Sequence, residues 1–500
     1  MIKRMNFVDG HFPIAQPEKV GISSRDIIAF LDALTAMSYE LHSLEIVRYG
    51  KRVFAAGVAP YSLNDPHRLL SAAKGIIAAA VLFAIDDGKI SFEDHIVDYF
   101  VDMLPDGQKA KFDKITVYDL MTMQTGQETD APFLYFLEHP EEDLCQLFFT
   151  VVPDKEPGTH FFYNNSVPHL LFTLVQRATG CEFMDYIEEK ICKPLDIHIM
   201  AERNKAGVYD PVTTVISPND FMKLAVWFLQ EGMWNGKQLL DPALVRTACT
   251  QQIFTEDENH DPNAQGYCMQ LWRNAFGGSR MDGGGGQIAL MLPEHDMAVI
   301  FTSNDWRGHD AIQLLYENII VKLNGRELPD DPEGNRMLNK VAEHLTLAPK
   351  LATALLGCEQ YEGDYCFFPN AIGVKTLSLK RRGKDYLLKF NTVHGDEDIL
   401  IGTDCRWVLS DHHVLVQPDL SIQNRIMGND PQQCYCAGGW RTQNEFCFTL
   451  KSLASMGEFR FILHFDGSML QLNIPLGVTA GMKKEMGYTI ASAKKVAADE

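Results

Sequence analysis

The sequence has little positive charge and no long apolar run, and each shortage argues against a class of partner. Its 45 lysine and arginine residues stand against 66 aspartate and glutamate residues, which gives a formal net charge of −21. Nucleic acids and anionic membrane surfaces attract basic proteins, so this charge argues against both as partners. The longest apolar run, residues 76–85, is far too short to span a bilayer.

Signals for export, disulfides and metals are also scarce. Residues 1–16 contain basic residues but no apolar run of signal-peptide length. The eleven cysteines are scattered and odd in number, which favours reduced thiols over a disulfide framework. Cys434 and Cys436 lack a second pair at metal-ligand spacing, so we do not expect a zinc site. These features predict a cytoplasmic protein with no metal and no organic cofactor.

The chain has enough apolar sequence for more than one domain. Hydrophobic residues make up 46% of its 500 positions, which can bury a large core. Residues 325–335, GRELPDDPEGN, have the proline, glycine and acidic residues of a linker. From about residue 358, short alternating runs such as VKTLSLKRR and EFRFILHF are separated by turn residues, as in an antiparallel barrel or sandwich. We predict a first domain at 1–325, a linker at 326–355 and an all-β domain at 356–500.

Two hairpin patterns enclose a series of helical patterns in the first domain. Residues 44–57 contain two β-rich runs around Gly50-Lys51, and residues 287–303 repeat this shape around Pro-Glu-His-Asp. Helices are predicted at 71–87, 116–124, 166–179, 217–231 and about 309–323. Strands at both ends of a helical stretch predict an α+β unit whose terminal strands share one antiparallel sheet.

The helix predicted at 71–87 is very apolar but begins with two polar residues, Ser71 and Lys74. Residues three apart lie on one face of a helix, so we expect these side chains to be adjacent. A serine becomes nucleophilic when a neighbouring base removes its proton, and burial among apolar neighbours can lower the pKa of a lysine enough for it to act as that base. The N–H groups at a helix N-terminus can stabilise the oxyanion formed on acylation. The alternative is a capping serine beside a solvated lysine, and Ser-x-x-Lys recurs at Ser492 and Lys495.

A second polar pattern, Tyr163-Asn-Asn165, follows a Pro-Gly turn and precedes another predicted helix. A loop fixed in this way can direct a phenol and an amide into a cleft. The tyrosine could relay a proton between lysine, serine and leaving group, and the amide of Asn165 could hold a substrate carbonyl. The alternative is a buried tyrosine with an asparagine cap, and Tyr316-Glu-Asn318 matches the same pattern by chance.

Four glycines, residues 283–286, precede the first strand of the second hairpin. Glycine permits the close approach of another backbone or a ligand. We expect this strand edge, including Gly286, to lie beside the nucleophile and to bind an extended substrate. Its second oxyanion N–H is expected near Gln287 or Ile288. Taken alone, the segment is better explained as a flexible turn, and it contains no phosphate-binding motif.

The order Ser71-Ala-Ala-Lys74, Tyr163-Asn-Asn165 and glycine-rich strand start resembles the serine β-lactamase and penicillin-binding protein superfamily. Segments such as HSLEIVRYGK, DDGKISFEDHIVDYF and VYDLMTMQTG are similar to class C-type β-lactamase-related serine hydrolases, over roughly residues 10–325. The resemblance implies a transpeptidase-like fold with its active site between a helical lobe and the edge of an antiparallel sheet. It implies Ser71 as nucleophile and Lys74 as its base partner. It also implies Tyr163 as proton relay and Asn165 as a substrate contact.

The third motif of that superfamily, Lys-Thr-Gly or His-x-Gly, has no Lys or His counterpart here. The window reads Arg280-Met-Asp282-Gly-Gly-Gly-Gly286-Gln287. In penicillin-recognising members the cation helps to hold a substrate carboxylate, so its loss argues against β-lactam hydrolysis and D,D-peptidase activity. Arg280 is a candidate replacement for the cation, whereas Asp282 would oppose an anionic substrate. The alternative is that both residues only cap the strand.

The tail, which begins near Tyr361-Glu-Gly-Asp-Tyr365, is similar to the lipocalin-like domains often appended to these hydrolases. Such a domain can cover the active-site mouth, shape the pocket or pair two chains, and simple packing explains it equally well.

The sequence predicts a serine hydrolase that forms an acyl-enzyme intermediate with a small ester or amide. The alternatives are a β-lactamase or D-amino-acid peptidase, and a non-hydrolytic protein that binds a small ligand on the same fold. The expected partner is a small-molecule substrate, and the sequence sets no oligomeric state.

Overall fold

The computed structural model describes residues 11–139, 141–203, 209–255, 266–349, 358–370, 372–393, 395–410, 433–453, 458–475 and 488–496. The chain divides into two compact units, and both are discontinuous in sequence. The first unit consists of Met1–Gly57, Pro66–Ser303 and Arg307–His344. The second unit consists of Val58–Asp65, Asn304–Trp306 and Leu345–Glu500.

The helices of the first unit lie mainly between its N-terminal and C-terminal strands in sequence. They are α1 Ser24–Ala36, α2 Lys74–Asp86, α3 Lys109–Phe112, α4 Val117–Met121, α5 Ala131–Glu138, α6 Leu144–Phe148, α7 Val167–Thr179, α8 Phe183–Ile187, α9 Lys193–Leu195, α10 Pro218–Leu229, α11 Pro242–Cys249, α12 Gly308–Asn318 and α13 Pro332–His344. The strands are β1 Leu41–Arg48, β2 Lys51–Gly57, β3 His67–Arg68, β4 Ile199–Met200, β5 Val215–Ile216, β6 Met233–Trp234, β7 Lys237–Gln238, β8 Trp272–Arg273, β9 Ser279–Gly283, β10 Gln287–Leu292 and β11 Met297–Ser303. Helix α13 lies within the stretch that the sequence assigns to a linker, and the domain limits stay a prediction.

The main sheet of the first unit is antiparallel and has the strand order β2-β1-β11-β10-β9-β8. Strands β1 and β11 pair side by side, with Leu44 opposite Phe301, so the two ends of the unit meet in one sheet. Both predicted hairpins are present, and the second turns through Pro293–His295. The expectation of an α+β unit with shared terminal strands is confirmed.

Helix α2 is buried along nearly its whole length because its residues are almost all apolar. Every residue from Lys74 to Ala84 is buried, and α2 packs against α7 in the main hydrophobic core. The sequence predicted one helix over 71–87, but a 3₁₀ turn at Leu70–Ala73 precedes α2. Leu70 has a positive φ of 48°, a conformation that a non-glycine side chain adopts at a cost. The polar start of the predicted helix is therefore a separate, tighter turn.

Capping residues set two of the other predicted helix starts, those of α4 and α10, where the sequence placed them. Thr116 and Asp119 form a reciprocal capping box at α4. Ser217 accepts from the Asp220 N–H at α10, where Pro218 takes the first helical position.

The second unit is an antiparallel sheet. Its strands are β12 Gly363–Phe367, β13 Val374–Arg382, β14 Asp385–Thr392, β15 Gly395–Ile401, β16 Val408–Ser410, β17 Cys434–Thr442, β18 Glu445–Ser452, β19 Glu458–Asp466, β20 Met469–Pro475 and β21 Tyr488–Lys495. Their order is β15-β14-β13-β12-β21-β20-β19-β18-β17-β16. A bridge between Gly402 and Ala437 links the region after β15 to β17, which nearly closes a barrel. The predicted all-β C-terminal domain is confirmed.

Aromatic side chains fill the described interior of this near-barrel. Trp440 packs with Tyr386, Phe446 and Phe465, and its indole N–H donates to the Tyr386 hydroxyl at 3.1 Å. A buried Trp needs such a partner for its polar atom. Over the ranges given above, no helix has the length and apolar content that a membrane crossing requires.

Candidate active site

Ser71 and Lys74 lie side by side at the start of α2. The Lys74 Nζ atom is 3.0 Å from Ser71 Oγ, and the lysine is only 7% exposed. Ser71 stands inside the 3₁₀ turn, whereas the N-cap positions of the turn and of α2 are Leu69 and Ala73. The arrangement therefore differs from a capping serine beside a solvated lysine. It is the pairing of hydroxyl and shielded amine that the spacing predicts.

Strand β9 lies directly against this nucleophile turn because two of its contacts involve glycine. A Cβ atom on Gly283 would be 2.1 Å from the Leu69 carbonyl oxygen and 3.0 Å from the Ala72 nitrogen. At the second residue of α2, a Cβ on Gly75 would be 2.5 Å from Met281 Sδ. A larger residue at Gly283 would clash with backbone atoms and separate the strand from the turn, whereas a larger residue at Gly75 would displace the flexible Met281 side chain.

The run of glycines after β9 forms a turn rather than the start of the strand beside the nucleophile. Gly285 and Gly286 have positive φ values of 71° and 78°, which glycine adopts without strain. The Gly286 N–H donates to Gly283 O at 3.2 Å and helps to close the turn. Sequence reasoning expected the strand after the glycines to lie beside the nucleophile; β10, which follows them, and β9, which precedes them, both contact the 3₁₀ turn, and the predicted oxyanion N–H stays a prediction.

The residues predicted to supply the second oxyanion N–H lie on β10. Gln287 is fully buried, and its Nε2 donates to Ser303 O at 2.6 Å and Gly285 O at 3.2 Å. Ile288 is also fully buried and stands opposite Asp282 of β9. Neither side chain is open to a ligand, so only their backbone remains a candidate.

The loop that carries Tyr163 and Asn165 is held by the segment after α4. The Phe162 N–H donates to Met123 O at 3.0 Å, and the amide of Asn164 donates to Gln127 Oε1 at 3.0 Å. These links fix a loop that has little regular structure of its own. They place its side chains next to Lys74.

Tyr163 contacts Lys74 through the face of its ring. The Lys74 Nζ atom lies 4.7 Å from the ring centroid, a cation–π distance. The ring also contacts Trp272, stacked at 5.5 Å, and Tyr267, edge-on at 6.2 Å. Among the described residues, the phenol hydroxyl has no hydrogen-bond partner. Its expected role as proton relay stays a prediction.

Asn165 joins Lys74 to a carboxylate that the sequence did not single out. Its Oδ1 is 3.3 Å from Lys74 Nζ, while its backbone N–H and its Nδ2 donate to the two oxygens of Asp130 at 2.9 and 2.8 Å. Burial raises the pKa of the Asp130 carboxyl, against the lowering effect of the Asn165 hydrogen bonds and the Lys74 charge. The structure thus brings Ser71, Lys74, Tyr163 and Asn165 together, as predicted, and adds Asp130.

At the altered third motif, Arg280 and Asp282 form an ion pair. Arg280 Nε donates to Asp282 Oδ2 at 2.8 Å, and the arginine side chain is 1% exposed. His309, at the start of α12, lies 3.3 Å from the same carboxylate oxygen. Burial opposes ionisation of Asp282, but Arg280 and His309 together hold the pKa of its carboxyl below the usual value. Arg280 is therefore a buried partner of Asp282 and not an exposed cation.

No pattern in the sequence indicates a functional role for Asp130 or His309. Asp130 precedes Ala131-Pro132, which only indicates a helix start. His309 lies outside every motif. Each acquires its place from a contact with a distant segment.

The described residues contain no group of three or more His, Cys, Asp or Glu side chains placed to hold a metal ion. Cys434 and Cys436 are buried in the second unit, and neither forms a disulfide.

Comparison with known proteins adds a family and a fold. A family model described as Beta-lactamase matches residues 42–321, more than half of the chain. A candidate 6-aminohexanoate-dimer hydrolase of Bacillus anthracis has a TM-score of 0.50 and 18% identity, over 64% of this chain and 89% of its own. A candidate β-lactamase of Bacteroides dorei DSM 17855 has a TM-score of 0.50 and 18% identity, over 60% of this chain and 99% of its own. No curated protein matches the sequence.

Proposed function

Because this chain belongs to the beta-lactamase family of hydrolases, we propose that it forms an acyl-enzyme intermediate with a small ester or amide and then hydrolyses it. Its first unit has the β-lactamase/transpeptidase fold that the sequence predicts. The observation that carries the proposal is the 3.0 Å contact between Ser71 Oγ and a buried Lys74 amine. A hydroxyl and a base at this distance are the parts that nucleophilic catalysis requires.

In the proposed acylation, Ser71 Oγ bonds to the substrate carbonyl carbon, and its proton passes to Lys74 Nζ after that amine has released its own proton to solvent. The proton then goes to the leaving alcohol or amine as the carbonyl re-forms. Tyr163 assists this transfer if its hydroxyl turns toward the leaving group when substrate binds. Water attacks the acyl-enzyme and restores Ser71.

The oxyanion formed in this step needs two backbone N–H donors. We place one at Ser71 itself, in the turn that leads into α2. We place the other in the glycine turn at 284–286, because Gly283 already touches the nucleophile turn. The sequence predicts this second N–H donor on β10, whereas we propose that it lies in the turn before β10.

The surroundings of the site favour an uncharged substrate. Tyr163 and Trp272 form an aromatic wall next to Lys74, which suits an apolar acyl group. Asp282 lies one residue from Gly283 and is held ionised, and its partner Arg280 is buried. Arg280 is therefore not exposed to bind a substrate carboxylate where penicillin-recognising relatives present a cation. This is why we favour esterase or amidase activity over β-lactamase or D-amino-acid peptidase activity.

The test is covalent labelling of the purified protein with a fluorophosphonate or an activated ester, followed by mass spectrometry. We expect one adduct on Ser71 and none in Ser71→Ala. The matched control is Ser492→Ala, because Ser492 and Lys495 have the same spacing but lie on strand β21, where residues three apart face opposite sides. Labelling that persists in Ser71→Ala would refute the proposal.

Two further assays separate the alternatives. Rapid turnover of a chromogenic cephalosporin would favour a β-lactamase. Ligand-dependent thermal stabilisation without turnover, equal in wild type and Ser71→Ala, would indicate a non-hydrolytic binding protein.

A further inference from the structure

Asp130 stands at a helix start, yet its side chain does not cap the helix. It directly precedes α5, a position where aspartate commonly accepts an N–H of the first turn. Here the Asp130 carboxylate makes no such bond. The N–H of Ala131 is instead bound by the hydroxyl of Thr129 at 3.2 Å. The Asp130 carboxylate can therefore accept hydrogen bonds from another part of the fold.

The Asp130 carboxylate instead makes two hydrogen bonds to one residue, Asn165. Asp130 Oδ1 accepts the backbone N–H of Asn165, and Oδ2 accepts its side-chain Nδ2, at 2.9 and 2.8 Å. The two segments are far apart in sequence, so this is a tertiary link. It fixes both the loop position and the orientation of the carboxamide.

The orientation matters because the two ends of a carboxamide differ chemically. With its NH₂ group donated to Asp130, Asn165 must present its carbonyl oxygen to Lys74, where Oδ1 lies 3.3 Å from Nζ. The reversed carboxamide would direct N–H donors at the lysine amine and a carbonyl at the carboxylate. The carboxylate thus permits one orientation and excludes the other.

We propose that Asp130 is a positioning residue that sets Lys74 beside Ser71 through the Asn165 carboxamide. The inference rests on the proposed acyl-enzyme function. It also changes the role of Asn165, since an amide engaged by Asp130 and Lys74 holds the base rather than the substrate carbonyl. The contacts of Lys74 with Ser71 Oγ, Asn165 Oδ1 and the Tyr163 ring define one position for the amine.

The test is a double-mutant cycle on the rate of acylation of Ser71 by an activated ester. We expect Asp130→Ala and Asn165→Ala each to lower kcat by about 10- to 100-fold with little change in KM, because misplaced groups cost the chemical step more than binding. The double variant should be no slower than the slower single variant, because both act through one link.

Asp143→Ala is the matched control. Asp143 is a true cap of α6 in the same unit and accepts from the N–H groups of Cys145 and Gln146 at 2.8 and 3.4 Å. This variant should lower the melting temperature and leave the acylation rate of the folded protein unchanged.

Each outcome has a separate meaning. If Ser71 is acylated at the same rate in the wild type and in Asp130→Ala, the role of Asp130 is overturned and the proposed function is not. The same holds if the two losses multiply in the double variant. A wild type that never acylates on Ser71 would overturn the proposed function and this inference with it.

Discussion

At the scale of a single residue, Glu45 shows how burial and charge compete. It lies on β1 with no exposed surface, and Arg52 Nη2 is 2.8 Å from its Oε1. Its Oε2 is buried and has no hydrogen-bond partner among the described residues. Burial raises the pKa of Glu45 to about 7, although the charge and hydrogen bond of Arg52 act in the opposite direction. The folded protein therefore binds this proton more tightly than the unfolded chain does.

A carboxyl with a raised folded-state pKa contributes stability at low pH and loses that contribution as pH rises toward its folded pKa. For Glu45 the loss runs from about pH 4.5 to about pH 7. We expect Glu45→Gln to gain stability relative to wild type across this window, by up to about 3 kcal/mol. Urea unfolding of both proteins at pH 5 and pH 8 measures the difference. Glu294→Gln, at an exposed position, is the control. If Glu45→Gln raised the free energy of unfolding equally at both pH values, the prediction would be contradicted.

The residue scale also separates what spacing predicts from what it does not. The Ser71 and Lys74 contact follows from residues three apart in a tight helical turn, so the sequence contained it. Asp130 meets Asn165 only because two loops are brought together by the fold. Its sequence neighbours indicate a helix start, and Thr129 takes over that function. No local sequence pattern indicates that Thr129 bonds the first N–H of the helix while Asp130 bonds Asn165.

At the scale of elements, the contact of β9 with the turn before α2 builds the site. We expect Gly283→Ala to force the strand away, because its Cβ would lie 2.1 Å from Leu69 O, a backbone atom that has no side-chain freedom. Overpacking of this kind costs about 1–3 kcal/mol. Labelling of Ser71 should slow by more than the loss of folded protein explains, as measured on samples corrected for folded fraction by circular dichroism.

Gly278→Ala serves as the control at the other end of β9. A Cβ there would lie 2.0 Å from Met291 O, and the residue has a φ of 72°. This change should destabilise the sheet without slowing Ser71 labelling of the folded fraction. Equal slowing in both variants would show that general sheet damage, and not the contact at Gly283, controls the nucleophile.

Element boundaries show where periodicity stops being informative. Apolar spacing over 71–87 is continuous, so the sequence predicts one helix, whereas the structure divides it at Ala73. The division follows from the positive φ of Leu70 and from packing against β9. The hairpins were predicted well because alternation and turn residues are local. Strand β9 was missed because its residues, SRMDG, show no clear alternation.

At the scale of the whole molecule, the second unit depends on residues from the early part of the chain. The Tyr61 hydroxyl donates to Ser452 O at 3.3 Å, its ring packs edge-on against Tyr435, and the Tyr435 hydroxyl donates to Asp65 at 3.2 Å. The sequence predicted an α+β part and an all-β part from the change in residue pattern. It did not predict that 58–65 joins the second part, because that segment has no β-domain pattern of its own.

We expect Tyr61→Ala to destabilise the second unit selectively, because Tyr61 is only 6% exposed. Loss of a buried aromatic ring costs about 3–5 kcal/mol in favourable cases. Hydrogen exchange of the full chain, followed by mass spectrometry, should show β17 and β18 exchanging at least about tenfold faster, with β10 and β11 unchanged. Tyr49→Ala in the first unit is the control. If Tyr61→Ala accelerated hydrogen exchange equally in both units, a selective role for Tyr61 in the second unit would be contradicted.

The divided make-up of the second unit also constrains the order of events on the ribosome. The segment around Tyr61 is translated early, but its partners Tyr435 and Ser452 come near the end of the chain. At roughly 5–20 residues per second, the delay between them is on the order of 20–80 s. During that time the nascent chain carries Tyr61 with none of its partners in the near-barrel. Completion of the near-barrel is therefore a late step of biosynthesis.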